Sequence, residues 1–309
     1  MKKLIFVLFL SVCGGLAAQE NDFVLHTPTG DIFGTISVPE IAEKSPLVLL
    51  IAGSGPTDRN GNNPMMTNNS LKMLADSLAA HKVATLCFDK RGIAASAAAM
   101  TREDDLRFET YINDVKSFIN TLSADGRFSD IVVAGHSEGA LIGLVACQSN
   151  PKTAKYISIA GTAVAADEIL KEQLAAQPQT VKDMVFPMLD SLKAGKMLNN
   201  VPPMLYSFFR PSVQPYMISW LKYNPQEEIK KLAIPILIVQ GTTDIQVPEN
   251  HADLLHAANP NATFCKIENM NHVLKTCAAT EQAAQTPTYT SPDFPLAKGL
   301  VECVVGFVK

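Results

Sequence analysis

Ile131-Val132-Val133-Ala134-Gly135-His136-Ser137-Glu138-Gly139-Ala140-Leu141-Ile142-Gly143-Leu144-Val145 joins an apolar run to a small-residue helix through a G-x-S-x-G. The five-residue pattern is weak by itself, because glycine and serine are common. Its place between a strand and a helix makes it a nucleophile elbow. A strand that turns at once into a helix needs residues without Cβ on both sides of the serine, and the turn holds Ser137 in a strained conformation with its hydroxyl pushed outward. The stretch therefore predicts an open parallel sheet carrying a serine nucleophile at the end of one strand.

A serine hydroxyl attacks only when a base takes its proton, so the elbow predicts a carboxylate and then a histidine farther along the chain. Pro235-Ile236-Leu237-Ile238-Val239-Gln240 reads as a strand buried on both faces, and the polar stretch after it delivers Asp244. The next strand-like run, Ala262 to Ile267, is followed by Glu268-Asn269-Met270-Asn271-His272. Neighbouring parallel strands share one carboxyl edge, so Ser137, Asp244 and His272 converge in such a sheet. Glu249 and Asp253 are the substitutes for Asp244.

Of the other histidines, His26 precedes the first candidate strand, His81 lies in a helix before a strand, and His251 and His256 ride the helix after Asp244. None ends a strand on the active edge. His136 adjoins the nucleophile, but neighbours on a tight turn point apart, and it reads as a hydrogen-bonded elbow residue. Acyl transfer also needs two N–H groups aimed at the oxyanion. Glu138, the residue after the nucleophile, supplies one. The second is assigned to the amide of Ser54, with that of Gly55 as the alternative, because Leu47 to Ile51 runs into Ala52-Gly53-Ser54-Gly55-Pro56 and two glycines let that backbone approach a substrate.

Apolar runs near residues 32–38, 47–51, 83–88, 131–134, 155–160, 235–239 and 262–267 alternate with helical stretches. The reading is an α/β class with a mostly parallel central sheet and helices on both faces. Residues 19–161 and 232–309 form its two parts. Residues 162–231, helical in texture but broken by prolines, form an inserted helical cap. Phe208, Phe209 and Trp220, with the cap methionines, are expected to wall an apolar pocket above Ser137, with Gly53 and Gly55 also touching substrate.

Several of these stretches carry a resemblance. Gly53-Ser54-Gly55-Pro56-Thr57-Asp58-Arg59-Asn60-Gly61-Asn62, Phe88-Asp89-Lys90-Arg91-Gly92-Ile93, the elbow, and Asn271-His272-Val273-Leu274-Lys275 are similar to those of α/β-hydrolases, and within them of the bacterial EstD-like carboxylesterases. The resemblance implies hydrolysis of small esters with modest acyl groups, a Ser137-Asp244-His272 triad and no cofactor. It departs at Ile93-Ala94-Ala95-Ser96, where many relatives carry another glycine after Ile93. Asp58, Arg59, Asp89 and Arg91 read as charges that brace loops. A serine aminopeptidase on the same fold is the alternative if Asp167, Glu168, Glu172, Asp183 or Asp190 holds a substrate amine; an acyl thioesterase is the other.

Met1-Lys2-Lys3, the apolar run to Val12 and the small residues to Ala18 read as a signal peptide over residues 1–18, too short to span a bilayer. A periplasmic or secreted enzyme without stable membrane insertion is expected. Lipid anchoring at Cys13 is the minor alternative, disfavoured by bulky Val12. Loss of Lys2 and Lys3 with the leader takes the formal charge from −4 to −6, and an acidic chain without a basic stripe argues against nucleic acid. Cys87 and Cys147 read as buried thiols, Cys277 with Cys303 is the one pairing the sequence suggests, and no spacing of ligands suggests a metal site.

Overall fold

The computed structural model describes residues 19–309, so the leader and Cys13 lie outside the described residues. Eight strands form one sheet: β1 (Gln19–Thr27), β2 (Gly30–Val38), β3 (Ser45–Ile51), β4 (Ala84–Phe88), β5 (Phe128–His136), β6 (Lys155–Ile159), β7 (Ile236–Gly241) and β8 (Thr263–Ile267). Their order is β1-β2-β4-β3-β5-β6-β7-β8, with β1 and β2 antiparallel and the run from β4 to β8 parallel. β1 is the strand missing from the sequence reading. Its Gln-Glu-Asn-Asp start is exposed edge, which removes the apolar alternation that marks a strand, and His26 lies within it.

Helices α1 (Ser70–Ala80), α2 (Phe108–Ser123) and α3 (Glu138–Cys147) follow β3, β4 and β5. Between β6 and β7 come α4 (Ala166–Gln173), α5 (Gln179–Lys193), α6 (Tyr206–Phe209), α7 (Gln214–Trp220) and α8 (Pro225–Ile229). Then α9 (Asn250–Ala258) follows β7, and α10 (Gln282–Thr290) and α11 (Leu300–Val308) follow β8.

Strand alternation sorts the core. Leu47, Leu49, Ile51 and Val133 face the layer of α2, α3 and α9, whereas Val48, Leu50, Val132 and Ala134 face α1 and α11. The helices between β6 and β7 close over a small core of their own built on Val185, Leu189, Leu192, Phe209 and Leu221. The chain passes from β3 to β4 on one side and returns to β5 on the other, so the crevice of this sheet opens beyond the carboxyl ends of β3 and β5. The Gly53 loop and Ser137 sit at those two ends.

One sequence reading changes. Cys303 bonds Cys265, with Cα atoms 6.7 Å apart, and not Cys277, because α11 packs against β8 and brings Cys303 over that strand. Cys277 is a free thiol facing the Ala279 carbonyl at 3.7 Å. Cys87 and Cys147 are buried and free, and burial pushes the Cys87 thiol up to about 12. At the departure after Ile93, Ala94 takes φ 43°, a left-handed conformation that glycine adopts without steric cost.

The bracing charges are in place. Asp89 accepts Arg59 Nη2 at 2.7 Å and the Arg59 amide at 2.8 Å, tying the long loop after β3 to the end of β4. Arg91 grips Asp114 through Nη2 at 2.7 Å and Nε at 3.0 Å, and burial raises the Asp114 carboxyl against that pull. Removing the guanidinium leaves a buried carboxylate alone. Arg91→Met is expected to cost about 3–5 kcal/mol in urea unfolding, with part regained in Arg91→Met/Asp114→Asn; a loss below about 1 kcal/mol contradicts this account.

Candidate active site

The elbow is a packing problem solved by glycine. A Cβ on Gly135 would lie 2.1 Å from the Gly139 carbonyl oxygen, and one on Gly139 would lie 2.4 Å from that of Ile51. With both absent, α3 begins hard against the sheet, and Ser137 is left at φ 55°, ψ −120°. That region is costly for any residue with a side chain. The Ser137 amide donates to the Ile159 carbonyl at 2.9 Å, which holds the strained turn to the end of β6.

The structure brings Ser137, Asp244 and His272 together. His272 Nδ1 lies 2.8 Å from Asp244 Oδ2 and Nε2 lies 3.1 Å from Ser137 Oγ. A carboxylate accepts, so Nδ1 carries the hydrogen and Nε2 is left to accept from the serine hydroxyl. The other Asp244 oxygen accepts the amides of Gln246 at 2.8 Å and Val247 at 2.9 Å, which fixes the carboxylate plane. His136 acts on the backbone of the same loop: its Nε2 donates to the His272 carbonyl at 2.8 Å. Burial, with the neighbouring His272 next in weight, lowers His136 from 6.5 to about 3, so it stays a neutral donor.

His251 and His256 stand elsewhere. His251 is fully buried, accepts the Ala163 amide at Nδ1 and meets Glu172 at 2.9 Å through Nε2. Glu249 faces Lys266 at 3.2 Å.

Ser54 and Gly55 line, with Ser137 and His272, a cavity of about 220 Å³. A Cβ on Gly53 would sit 3.3 Å from Ser137 Cβ, so that loop closes on the elbow. The amides of Ser54 and Glu138 donate to no protein acceptor among the described residues. The Glu138 side chain is buried: Oε2 accepts Lys90 Nζ at 2.8 Å and Oε1 accepts the Tyr216 hydroxyl at 2.6 Å.

The expected cap wall is corrected. Phe209 is packed into the core of the inserted helices, Phe208 is 68% exposed, and Trp220 lies against Phe108 with ring centroids 6.2 Å apart; none of the three lines the cavity at Ser137. Its far wall is Met66, Gln246, Val273 and Tyr289, from the loop before α1, the Asp244 and His272 loops, and α10. An adjoining apolar groove of about 370 Å³ shares Met66, Gln246 and Tyr289 with it. Sequence reading missed α10 because its Gln-Ala-Ala-Gln-Thr-Pro-Thr stretch is polar and holds Pro287. Its role is visible in contacts: Gln285 Nε2 donates to the Thr243 carbonyl at 2.6 Å and Thr288 Oγ1 accepts Asn271 Nδ2 at 2.6 Å, clamping the loops that carry Asp244 and His272.

Residues 67–207 match a family model described as serine aminopeptidase, S33. Esterase EstD of Thermotoga maritima is 24% identical over 247 residues, 78% of this chain, and the chain spans 57% of that protein's length. Est1E from Butyrivibrio proteoclasticus, solved with ferulic acid, superposes with TM-score 0.60 at 16% identity over 93% of this chain and 96% of that one. An acylaminoacyl peptidase of Pyrococcus horikoshii superposes with TM-score 0.54 at 14% identity over 83% of this chain and 38% of that one.

A neutral buried His136 makes the fold acid-sensitive in a defined window. Its folded pKa of about 3 lies below the unfolded value of 6.5, so below 6.5 the unfolded chain binds a proton that the folded chain refuses, and stability is lost as pH falls towards 3. The fall in Tm between about pH 7 and about pH 4 should therefore shrink in His136→Gln. Equal falls in both proteins would place the acid sensitivity in other groups.

Proposed function

We propose that the chain is a serine carboxylesterase of the α/β-hydrolase type, acting on small esters with short acyl groups. The observation that carries the reading is the line from Asp244 through His272 to Ser137, at 2.8 and 3.1 Å, opening on a cavity beside two unpaired amides. Ser137 Oγ attacks the ester carbonyl while His272 Nε2 takes its proton. Asp244 holds the imidazole in the required tautomer and stabilises the imidazolium. The Ser54 and Glu138 amides receive the developing oxyanion. His272 returns the proton to the leaving alcohol, and water then repeats the attack on the acyl-enzyme. This chemistry calls for no cofactor.

Acyl size follows from the cavity. About 220 Å³ lies below the range of about 300–1,000 Å³ usual for drug-sized ligands, which supports a short acyl group. The aminopeptidase alternative needs a free acid near Ser137. Asp167 is paired with Lys193 at 2.9 Å, Glu172 with His251 at 2.9 Å and Asp190 with Lys171 at 2.5 Å; Asp183 accepts from Gln179 at 2.7 Å, and neither these nor Glu168 lines the cavity. A thioesterase would use the same groups, and a panel of matched esters, thioesters and aminoacyl nitroanilides separates the three. Export to the periplasm or medium is proposed on the pattern of residues 1–18, and the Cys265–Cys303 bond is in keeping with an oxidising compartment.

Ser137→Ala is expected to lower ester turnover by about 10⁴-fold or more while leaving Tm close to wild type. Retention of a tenth of the wild-type rate would refute the nucleophile. Tyr289 lines both the cavity and the groove, its hydroxyl held by Gln246 Nε2 at 3.0 Å. On nitrophenyl esters from acetate to palmitate, activity should collapse after the first few carbons, and Tyr289→Ala should move the collapse to longer chains. A profile moved by Trp220→Ala but not by Tyr289→Ala would return the wall to the cap.

A further inference from the structure

Lys90 lies two residues beyond β4 and is 2% exposed. Its ammonium donates to the Gly53 carbonyl at 2.5 Å and to Glu138 Oε2 at 2.8 Å, and stands 5.2 Å from the centre of the Tyr111 ring. A buried Lys–Glu pair is a poor stability device, because desolvation consumes most of the Coulomb gain. Its position is more telling than its strength.

The Gly53 carbonyl belongs to the same rigid peptide unit as the Ser54 N–H. In a trans peptide the two point in opposite directions, so a bond that anchors the carbonyl also sets the aim of the N–H. The second amide belongs to Glu138, whose side chain is anchored by the same ammonium. One charge thus holds the Gly53–Ser54 peptide directly and Glu138 through its side chain, the two positions that the esterase reading assigns to the oxyanion. It has an electrostatic effect as well. An unpaired carboxylate on the residue next to Ser137 would oppose negative charge growing on the substrate, and Lys90 cancels it. The remaining Glu138 oxygen accepts from Tyr216 of α7, so the inserted helices reach the oxyanion site through one hydroxyl.

We propose that Lys90 is a positioning residue that sets the oxyanion hole through the Gly53–Ser54 peptide and Glu138, with Tyr216 coupling the helical insertion to it. The inference rests on the serine-esterase reading and adds to it a network that touches no substrate. Lys90→Met alone strands the Glu138 charge, so the decisive protein is Lys90→Met/Glu138→Gln, which keeps the volume and removes both charges. Tyr216→Phe, which loses the hydroxyl alone, is its companion.

For the double variant, kcat on a short ester should fall by about 10²- to 10³-fold with KM nearly unchanged. Affinity for a trifluoromethyl ketone that forms a tetrahedral adduct should fall by a similar factor, while a carboxylate product binds as before. Tyr216→Phe should show the same pattern at about tenfold. A merely structural role would lower Tm and leave kcat per titratable active site intact. A folded double variant with wild-type kcat and adduct affinity overturns the proposal; if the double variant does not fold, Tyr216→Phe decides, and wild-type values there overturn it. Ser137→Ala run alongside tells the two failures apart: activity surviving that change sinks the esterase reading, whereas activity lost there but kept in the folded network variants sinks only the role of Lys90.

Discussion

The site depends on how closely the first turn of α3 approaches the carboxyl ends of β3 and β5. At Gly135 and Gly139 there is no room for a methyl group, since either Cβ would fall within 2.4 Å of a backbone oxygen. The approach leaves Ser137 in a backbone region that its side chain disfavours, and the strain is sustained because the surrounding sheet over-determines it. From that single contact follow the outward hydroxyl, the free amide of Glu138 and the proximity of the Gly53 loop. A looser junction would preserve the fold and lose the site.

Around this rigid point the polar groups are held from behind. His272 meets Asp244 and Ser137 through its ring and His136 through its carbonyl, while Asn271 beside it is tied to α10. Each loop bearing a reactive side chain is thereby fixed by a hydrogen bond to an element that bears none. Geometry of this kind supplies preorganisation, since the donors and acceptors need little rearrangement when charge develops.

The sequence made the parallel strands and the Ser137, Asp244 and His272 positions legible because each depends on a local pattern: a buried apolar run, a glycine-flanked turn, a polar residue just past a strand. β1 escaped because an exposed edge strand need not alternate, and α10 because its buried residues are Gln285 and Thr288, chosen for hydrogen bonds and not for apolar contact. The cap aromatics misled for the opposite reason. Phe209 and Trp220 are apolar and lie in the insertion, but composition does not say which way a helix faces, and they turned inwards to build the insertion's own core and its seam with Phe108. Lys90 lay within a stretch that carried the resemblance but showed nothing of its role, since a lysine that grips a backbone carbonyl and a carboxylate 48 residues away looks in sequence like any other lysine. The partner of Cys303 was decided by the docking of α11, a tertiary event.

The strand order carries a consequence for how the triad is assembled. From β3 onward through β5, β6, β7 and β8 the sheet grows along one edge in the order of synthesis. Ser137 stands at the end of β5, which pairs with β3 and β6 and precedes the helices between β6 and β7 in sequence, whereas Asp244 and His272 come only with the last two strands. Any partly folded form in which β7 and β8 have not docked holds a serine with neither its base nor its carboxylate, so the reactive alcohol is completed only when the last two strands join the sheet.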